Sequence, residues 1–226
     1  MQVAAAAGQT ERAGAGAPSG ASPLGALLPG GRVRPGTAVS AGADVPLLLA
    51  LAAEASAGSA GWAAVGLPGL GPGAAADAGL ELGAGMWVDD PGRRWPQVLA
   101  TVLEAVPVVM VGVVPPVPER VTRRLAAVMR RSGAVLLAAG SWEGAAVRLN
   151  VTTAVWDGVG TGSGILRGRR VTVVAAGRGE AARPRRAEMW LPGPDGRVAP
   201  LDPATVEQPS AGGEAAGGRP VLRVLG

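Results

Sequence analysis

Gly36-Thr37-Ala38-Val39-Ser40-Ala41-Gly42-Ala43-Asp44-Val45-Pro46-Leu47-Leu48-Leu49 is a short β-type run, a glycine turn and the opening of an apolar helix. That succession is the scaffold of a phosphate-binding loop. Such a loop aims backbone N–H groups at phosphates, with a Lys on the outer phosphates and a hydroxyl on Mg²⁺. The chain contains no lysine, and the positions before the helix are Ala43, Asp44 and Val45. Asp44 reads as the helix N-cap and Pro46 as the first helical residue. A carboxylate cap already occupies the positive end of the helix and repels a triphosphate. The stretch predicts the scaffold of a nucleotide site without its chemistry, although Ala41-Gly42-Ala43 can still form a shallow backbone nest.

Outward from this turn, strands alternate with helices and then give way to strands alone. The helix from about Val45 to Ala55 is apolar nearly all round, through Leu47, Leu48, Leu49 and Leu51, which predicts burial on several sides. Trp62–Val65 and Gly85–Val88 read as short strands with a small helix near Ala74–Ala78 between them. Asp89-Asp90-Pro91 reads as the cap of an amphipathic helix whose apolar positions Trp95, Val98, Leu99, Val102, Leu103 and Val106 follow helical spacing. Val108–Val111 and Ala134–Leu137 are continuous apolar runs, as in strands buried on both faces of a parallel sheet. Between them, a helix from about Pro116 to Arg131 carries Val117, Val121, Leu125 and Val128 on one side. Arg120, Arg123, Arg124, Arg130 and Arg131 cover the other. After Gly140, the segments Ala146–Val155, Gly164–Ala175 and Arg186–Leu191 read as strands joined by glycine turns. The fold class expected is α/β, a mostly parallel sheet flanked by helices with antiparallel strands at the C-terminal end. Residues 1–20 and 201–226 read as low-complexity tails around a domain at 21–200. Val221-Leu222-Arg223-Val224-Leu225 forms a short apolar segment beyond the second linker, a docking motif or a fraying end.

Composition excludes several classes of chemistry. With no Cys and no His, disulfides, the usual zinc sites and Ser–His or Cys–His nucleophile pairs are ruled out. No metal or other cofactor is expected. No apolar run reaches the ~18–20 residues of a membrane span, and the start of the chain does not resemble a signal peptide. A cytoplasmic protein without membrane contact is the expectation. The net charge is only +4, but Arg167, Arg169, Arg170, Arg178, Arg183, Arg185 and Arg186 share one span with a single acid, Glu180. The cluster fits a footprint for nucleic acid or an acidic protein, and equally a solvated hairpin. Gly158–Gly164 looks like a dinucleotide fingerprint but precedes no helix, so it reads as a turn. Asp89 and Asp90 are more simply caps than an acid pair. Of the Trp residues, Trp62, Trp87, Trp95 and Trp190 fall on packing positions. Trp142, beside Glu143 in a short loop, is the candidate for an exposed ring that contacts a partner.

The order of these elements resembles the RecA recombinase core. Leu27-Leu28-Pro29-Gly30-Gly31-Arg32-Val33-Arg34-Pro35-Gly36 looks like that family's entry turn, and Ala74-Ala75-Ala76-Asp77-Ala78-Gly79-Leu80-Glu81 like its helix after the second strand. Closer still is the shortened RecA-like accessory protein of bacterial mutagenesis cassettes, the ImuA type. The resembling passages are Leu67-Pro68-Gly69-Leu70-Gly71, Asp90-Pro91-Gly92-Arg93-Arg94-Trp95-Pro96 and Arg178-Gly179-Glu180-Ala181-Ala182-Arg183-Pro184-Arg185-Arg186. The resemblance implies a RecA-like fold with a degenerate phosphate loop. The Lys and hydroxyl positions fall near Asp44 and Val45, the water-polarising acid near Leu67 or Pro68, the Mg²⁺-orienting Asp near Gly112, and the sensor near Gly140 or Ser141. Phosphoryl transfer depends on such positioned charges, so a catalytically inactive protein is implied. The role implied is an adaptor in damage-induced (SOS) translesion synthesis. Its partners would be an inactive Y-family-like polymerase homologue and an error-prone replicative-type polymerase. The loop that holds DNA in RecA proteins is shortened here to about Gly140–Ala145. Any DNA contact falls to the arginine hairpin or the arginine face of the Arg120–Arg131 helix, directed at phosphates. A single-stranded DNA-binding module and a SulA-type division inhibitor are the alternative readings.

Overall fold

The structure, a computed structural model, describes residues 22–58, 61–159 and 164–201. The N-terminal stretch 1–20, nearly all of the C-terminal stretch with its apolar segment, and the middle of the Gly158–Gly164 turn lie outside the described residues. Nine strands form one sheet: β1 (Ala38–Ser40), β2 (Trp62–Val65), β3 (Gly85–Val88), β4 (Val108–Val111), β5 (Val135–Ala138), β6 (Val147–Val159), β7 (Gly164–Gly177), β8 (Arg185–Trp190) and β9 (Ala199–Pro200). Their order is β3-β2-β4-β5-β1-β6-β7-β8-β9. All pairings from β3 across to β6 are parallel, and those from β6 to β9 are antiparallel. The expected mixed α/β sheet is therefore present, with β1 at its centre.

Alternation along the strands divides the interior into two cores. Trp62 and Ala64, Val108 and Met110, and Val135 and Leu137 face one side, with α1 (Val45–Ser56) and Ala75 of α2 (Pro72–Asp77). Ala63 and Val65, Val109 and Val111, and Leu136 and Ala138 face the other, under α3 (Trp95–Ala105) and α4 (Glu119–Ser132). Both faces of the central strands are thus covered, which is why their sequences are continuous apolar runs. The helix α1 buries Leu47, Leu48, Leu49, Ala50, Leu51 and Ala52, as its all-round apolarity predicts. Among the described residues no helix is long and apolar enough to cross a membrane.

Several boundaries differ from expectation for local reasons. The helix α4 starts at Glu119 rather than Pro116, with Pro118 in an extended conformation at its N-cap. Residues before a proline disfavour the α region, and Pro116 and Pro118 both impose this. Asp90 does not cap α3. It accepts from the Gly92 N–H at 2.8 Å and closes a 3-10 turn at Gly92–Arg94, after which α3 begins at Trp95. Pro46 is the second helical residue of α1, not the first.

Trp142 overturns the expectation of an exposed ring. It is only 7% exposed and sits edge-to-face on Trp95, with centroids 6.4 Å apart, in the core beneath α3 and α4. The loop after β5 uses it as an apolar plug. We expect Trp142→Ala to lower stability by about 3–5 kcal/mol, the usual loss for a buried large aromatic, read as a shift in denaturant midpoint. A ring serving only a partner would leave the midpoint unchanged.

A half-buried carboxyl affects stability through pH. Glu54 of α1 lines a cleft of about 470 Å³ together with Gly79, Glu81 and Arg197. Burial raises its pKa above the ordinary 4.5, and a hydrogen bond donated by Ser22 Oγ only partly opposes this. A carboxyl with a raised folded-state pKa contributes stability that is fully present below the unfolded value and lost as pH rises through the folded one. Chemical denaturation across pH should therefore show the wild type losing stability above about pH 4.5. Glu54→Gln should flatten that fall and be the more stable protein at neutral pH.

Candidate functional site

The glycine turn between β1 and α1 lies at the C-terminal edge of the parallel strands, where α/β sheets place their ligand crevices. The loops after β2, β4 and β5 share that edge. Asp44 is the N-cap expected of it: its Oδ1 accepts from the Leu47 N–H at 3.0 Å, while its backbone is extended. Gly42 has φ +60°, a conformation that favours glycine. The turn is pressed against β6, since a Cβ on Gly42 would lie 3.1 Å from Asn150 Oδ1 and 3.3 Å from the Leu149 carbonyl oxygen. Ala43 and Val45 are exposed at the turn.

What closes the site comes from the far side of the sheet. Arg169 Nη2 of β7 donates to the same Asp44 Oδ1 at 2.7 Å, and Arg169 Nε donates to the Leu191 carbonyl at 2.7 Å. The side chains are 11% and 15% exposed, so the pair is almost dry. Its guanidinium also lies 5.7 Å from the centroid of the Trp156 ring, within cation–π range. An internal carboxylate and its counter-ion thus hold the helix end where a phosphate-binding loop would receive an anion. Sequence reading found the carboxylate. It could not find the arginine, because the partners are 125 positions apart and no local pattern links them.

The other positions that the sequence assigned to a degenerate nucleotide site are closed by packing. Gly112 follows β4 directly, and its N–H donates to the Val65 carbonyl. A Cβ at 112 would lie 1.9 Å from the Gly66 carbonyl oxygen, so neither Asp nor Ala fits there without moving backbone. Pro68 is exposed in the loop after β2 and Leu67 is half-buried, and neither brings a charge. At the end of β1, the buried Ser40 hydroxyl donates to the Gly140 carbonyl at 2.6 Å, which ties the β1 and β5 loops together.

The arginine cluster of the sequence does not form one patch. Arg169 is buried in the pair with Asp44, which removes it from the surface contacts expected of it. Arg170 is half-buried, ion-paired to Asp157 at 2.9 Å, and lies 5.8 Å from the Trp190 ring centroid. Arg167 is exposed near the β6–β7 turn, whereas Arg178 and Arg183 are exposed around the β7–β8 turn. Arg185 and Arg186 pair across β7 with Ala175 and Val174. The two arginine groups are roughly 25 Å apart along the strands, at ~3.4 Å per residue. Arg186 is further engaged with Glu188 at 2.9 Å. On α4, Arg123 pairs with Glu119 and Arg131 with Glu104, while Arg120, Arg124 and Arg130 are exposed without an ion pair among the described residues.

Fold and site together define an α/β domain whose first helix is capped by an ion pair within the chain. Residues 26–144, just over half of the sequence, match the MT3502 N-terminal domain family, and the chain belongs to that family. No curated protein matches the chain. The matched span carries β1 to β5 and their helices, and ends before β6. Asp44 therefore lies inside it and Arg169 outside it.

Removing one member leaves the other charged and nearly buried, a loss usually of about 3–5 kcal/mol. Arg169→Met and Asp44→Ser should each destabilise strongly in urea titrations, the serine retaining a cap. The double variant should be more stable than the sum of the single losses allows, because no unpaired charge is left behind. Strict additivity would show that the contact carries no coupling.

Proposed function

We propose that the chain is a RecA-like domain without nucleotide chemistry that acts as an adaptor in damage-induced translesion synthesis. The observation that carries the non-catalytic reading is the Asp44–Arg169 pair at the start of α1. A nucleotide phosphate arriving there would have to displace a buried ion pair and face a carboxylate. No carboxylate follows β4 to hold Mg²⁺, and Gly112 has no room for one. The RecA-like assignment draws on the sequence resemblance and on the central β1 with its glycine turn, flanked by a parallel block and an antiparallel extension. The partners follow from that resemblance: the inactive Y-family-like polymerase homologue and the error-prone replicative-type polymerase of the same cassette. Function on this reading is assembly, with the doubly covered sheet as a rigid platform in the cytoplasm or at the nucleoid.

A second reading, direct binding of single-stranded DNA, is favoured by one feature, the free Arg120, Arg124 and Arg130 on the outer face of α4. Phosphate contacts there would weaken with salt at a slope of about −0.7 per phosphate neutralised. Replacing all three would then reduce the slope by about 2.

The deciding experiment is recovery of the tagged full chain from DNA-damaged cells, with and without nuclease, alongside equilibrium ATP binding. We expect nuclease-resistant recovery of the cassette polymerases and no saturable ATP binding at millimolar nucleotide. Recovery of partners only without nuclease transfers the role to the α4 arginines. ATP turnover above background would overturn the non-catalytic reading.

A further inference from the structure

The β6–β7 hairpin outruns the sheet that supports it. Pairing of β6 with β1 ends at Ser40↔Arg148, yet β6 continues to Val159 with β7 as its neighbour. Among the described residues, no backbone group of Asn150–Gly158 bonds on the side that β1 has left. On the other side, the β7–β8 register ends at Arg170↔Trp190. The outer part of the hairpin is exposed over Thr152–Trp156 on β6 and Gly164–Arg167 on β7; β8 still backs it as far as Val155↔Arg170, and it is two-stranded beyond. It is also apolar: Val155, Trp156, Ile165 and Leu166 are 49%, 45%, 80% and 54% exposed. An open edge of high β-propensity normally carries Lys, Pro or inward charge. Thr153–Asp157 has neither Lys nor Pro, and its one acid is engaged by Arg170.

The chain outside the structure supplies a segment of the right kind. Residues 202–220 contain Pro203, Pro209, Gly212, Gly213, Gly217, Gly218 and Pro220, whereas Val221-Leu222-Arg223-Val224-Leu225 has neither Gly nor Pro and is rich in strand-forming residues. The described chain leaves the sheet next to β9, where Pro200 pairs with Met189. From there the open edge of β6 is three strands across and several residues along, roughly 25–30 Å. Residues 202–220 reach roughly 60 Å when extended, so the segment can return to its own arm.

We infer that residues 221–225 add as a strand to the open edge of β6, over Thr153–Asp157. The match in length is specific. Irregularities at Val151/Thr153 and Asp157/Val159 bound a regular run of β6 as long as the segment itself. So short a run suits a tethered strand held at millimolar effective concentration. It falls far below the interface that a stable dimer needs, which disfavours a second copy as the occupant.

Amide hydrogen exchange on the full chain tests this, with Val224→Pro as the comparison because proline removes a strand donor. Alternate amides of Thr153–Asp157 should be protected at least tenfold in the parent and lose that protection in V224P. A peptide of residues 219–226 should restore it and shift Trp156 emission to the blue. Amides of β4 and β5, unchanged in both proteins, certify that the variant is folded. Equal exchange at β6 in parent and variant overturns the inference. So does protection that survives in V224P and rises with protein concentration, since a second copy would then cover the edge.

Discussion

One nearly dry ion pair organises this molecule. The first turn of α1 points unsatisfied N–H groups and a positive dipole end at the crevice edge of the sheet, and Asp44 answers them from within the chain. That carboxylate is itself too buried to stand alone, and Arg169 reaches from β7 to neutralise it while holding the Leu191 carbonyl. A buried pair of this sort adds little net stability compared with apolar packing, but it permits one geometry and penalises others. The geometry it selects docks the antiparallel half of the sheet on the helix that begins the parallel half.

The same contact explains why the crevice is a joint rather than a pocket. Gly42 leans on Leu149 and Asn150, Ser40 is tied to Gly140, and Gly112 touches the Gly66 carbonyl at a distance that leaves no room for a side chain. Around Gly42, Ser40 and Gly112 the crevice is filled by backbone approach and packing.

The pair also crosses the boundary of the family match. Residues 26–144 form the parallel block with its helices, and everything from β6 onward lies beyond the match. The block presents Asp44 and the extension supplies Arg169, so this pair joins the two parts, alongside the β1–β6 ladder and the Arg34–Glu180 ion pair. The arm of β6 and β7 projects past this joint, carrying its apolar residues away from both cores.

The local elements were legible in the sequence because they rest on local physics. Continuous apolar runs marked β4 and β5, helical spacing marked α3, and a carboxylate before a proline marked the start of α1. The class of fold followed from their order, and the absence of Lys, His and Cys removed whole classes of chemistry. Proline sterics and a local Asx turn moved boundaries by a few residues, which composition alone does not resolve. The destiny of the charged and aromatic side chains was not legible. Arg169 and Arg167 look alike in sequence, yet one is buried and the other exposed; Trp142 looks free and is core, while Trp156 is displayed. Those outcomes depend on tertiary neighbours, 125 positions apart for Arg169 and Asp44 and on another element for Trp142 and Trp95, and such pairing leaves no trace in periodicity or spacing.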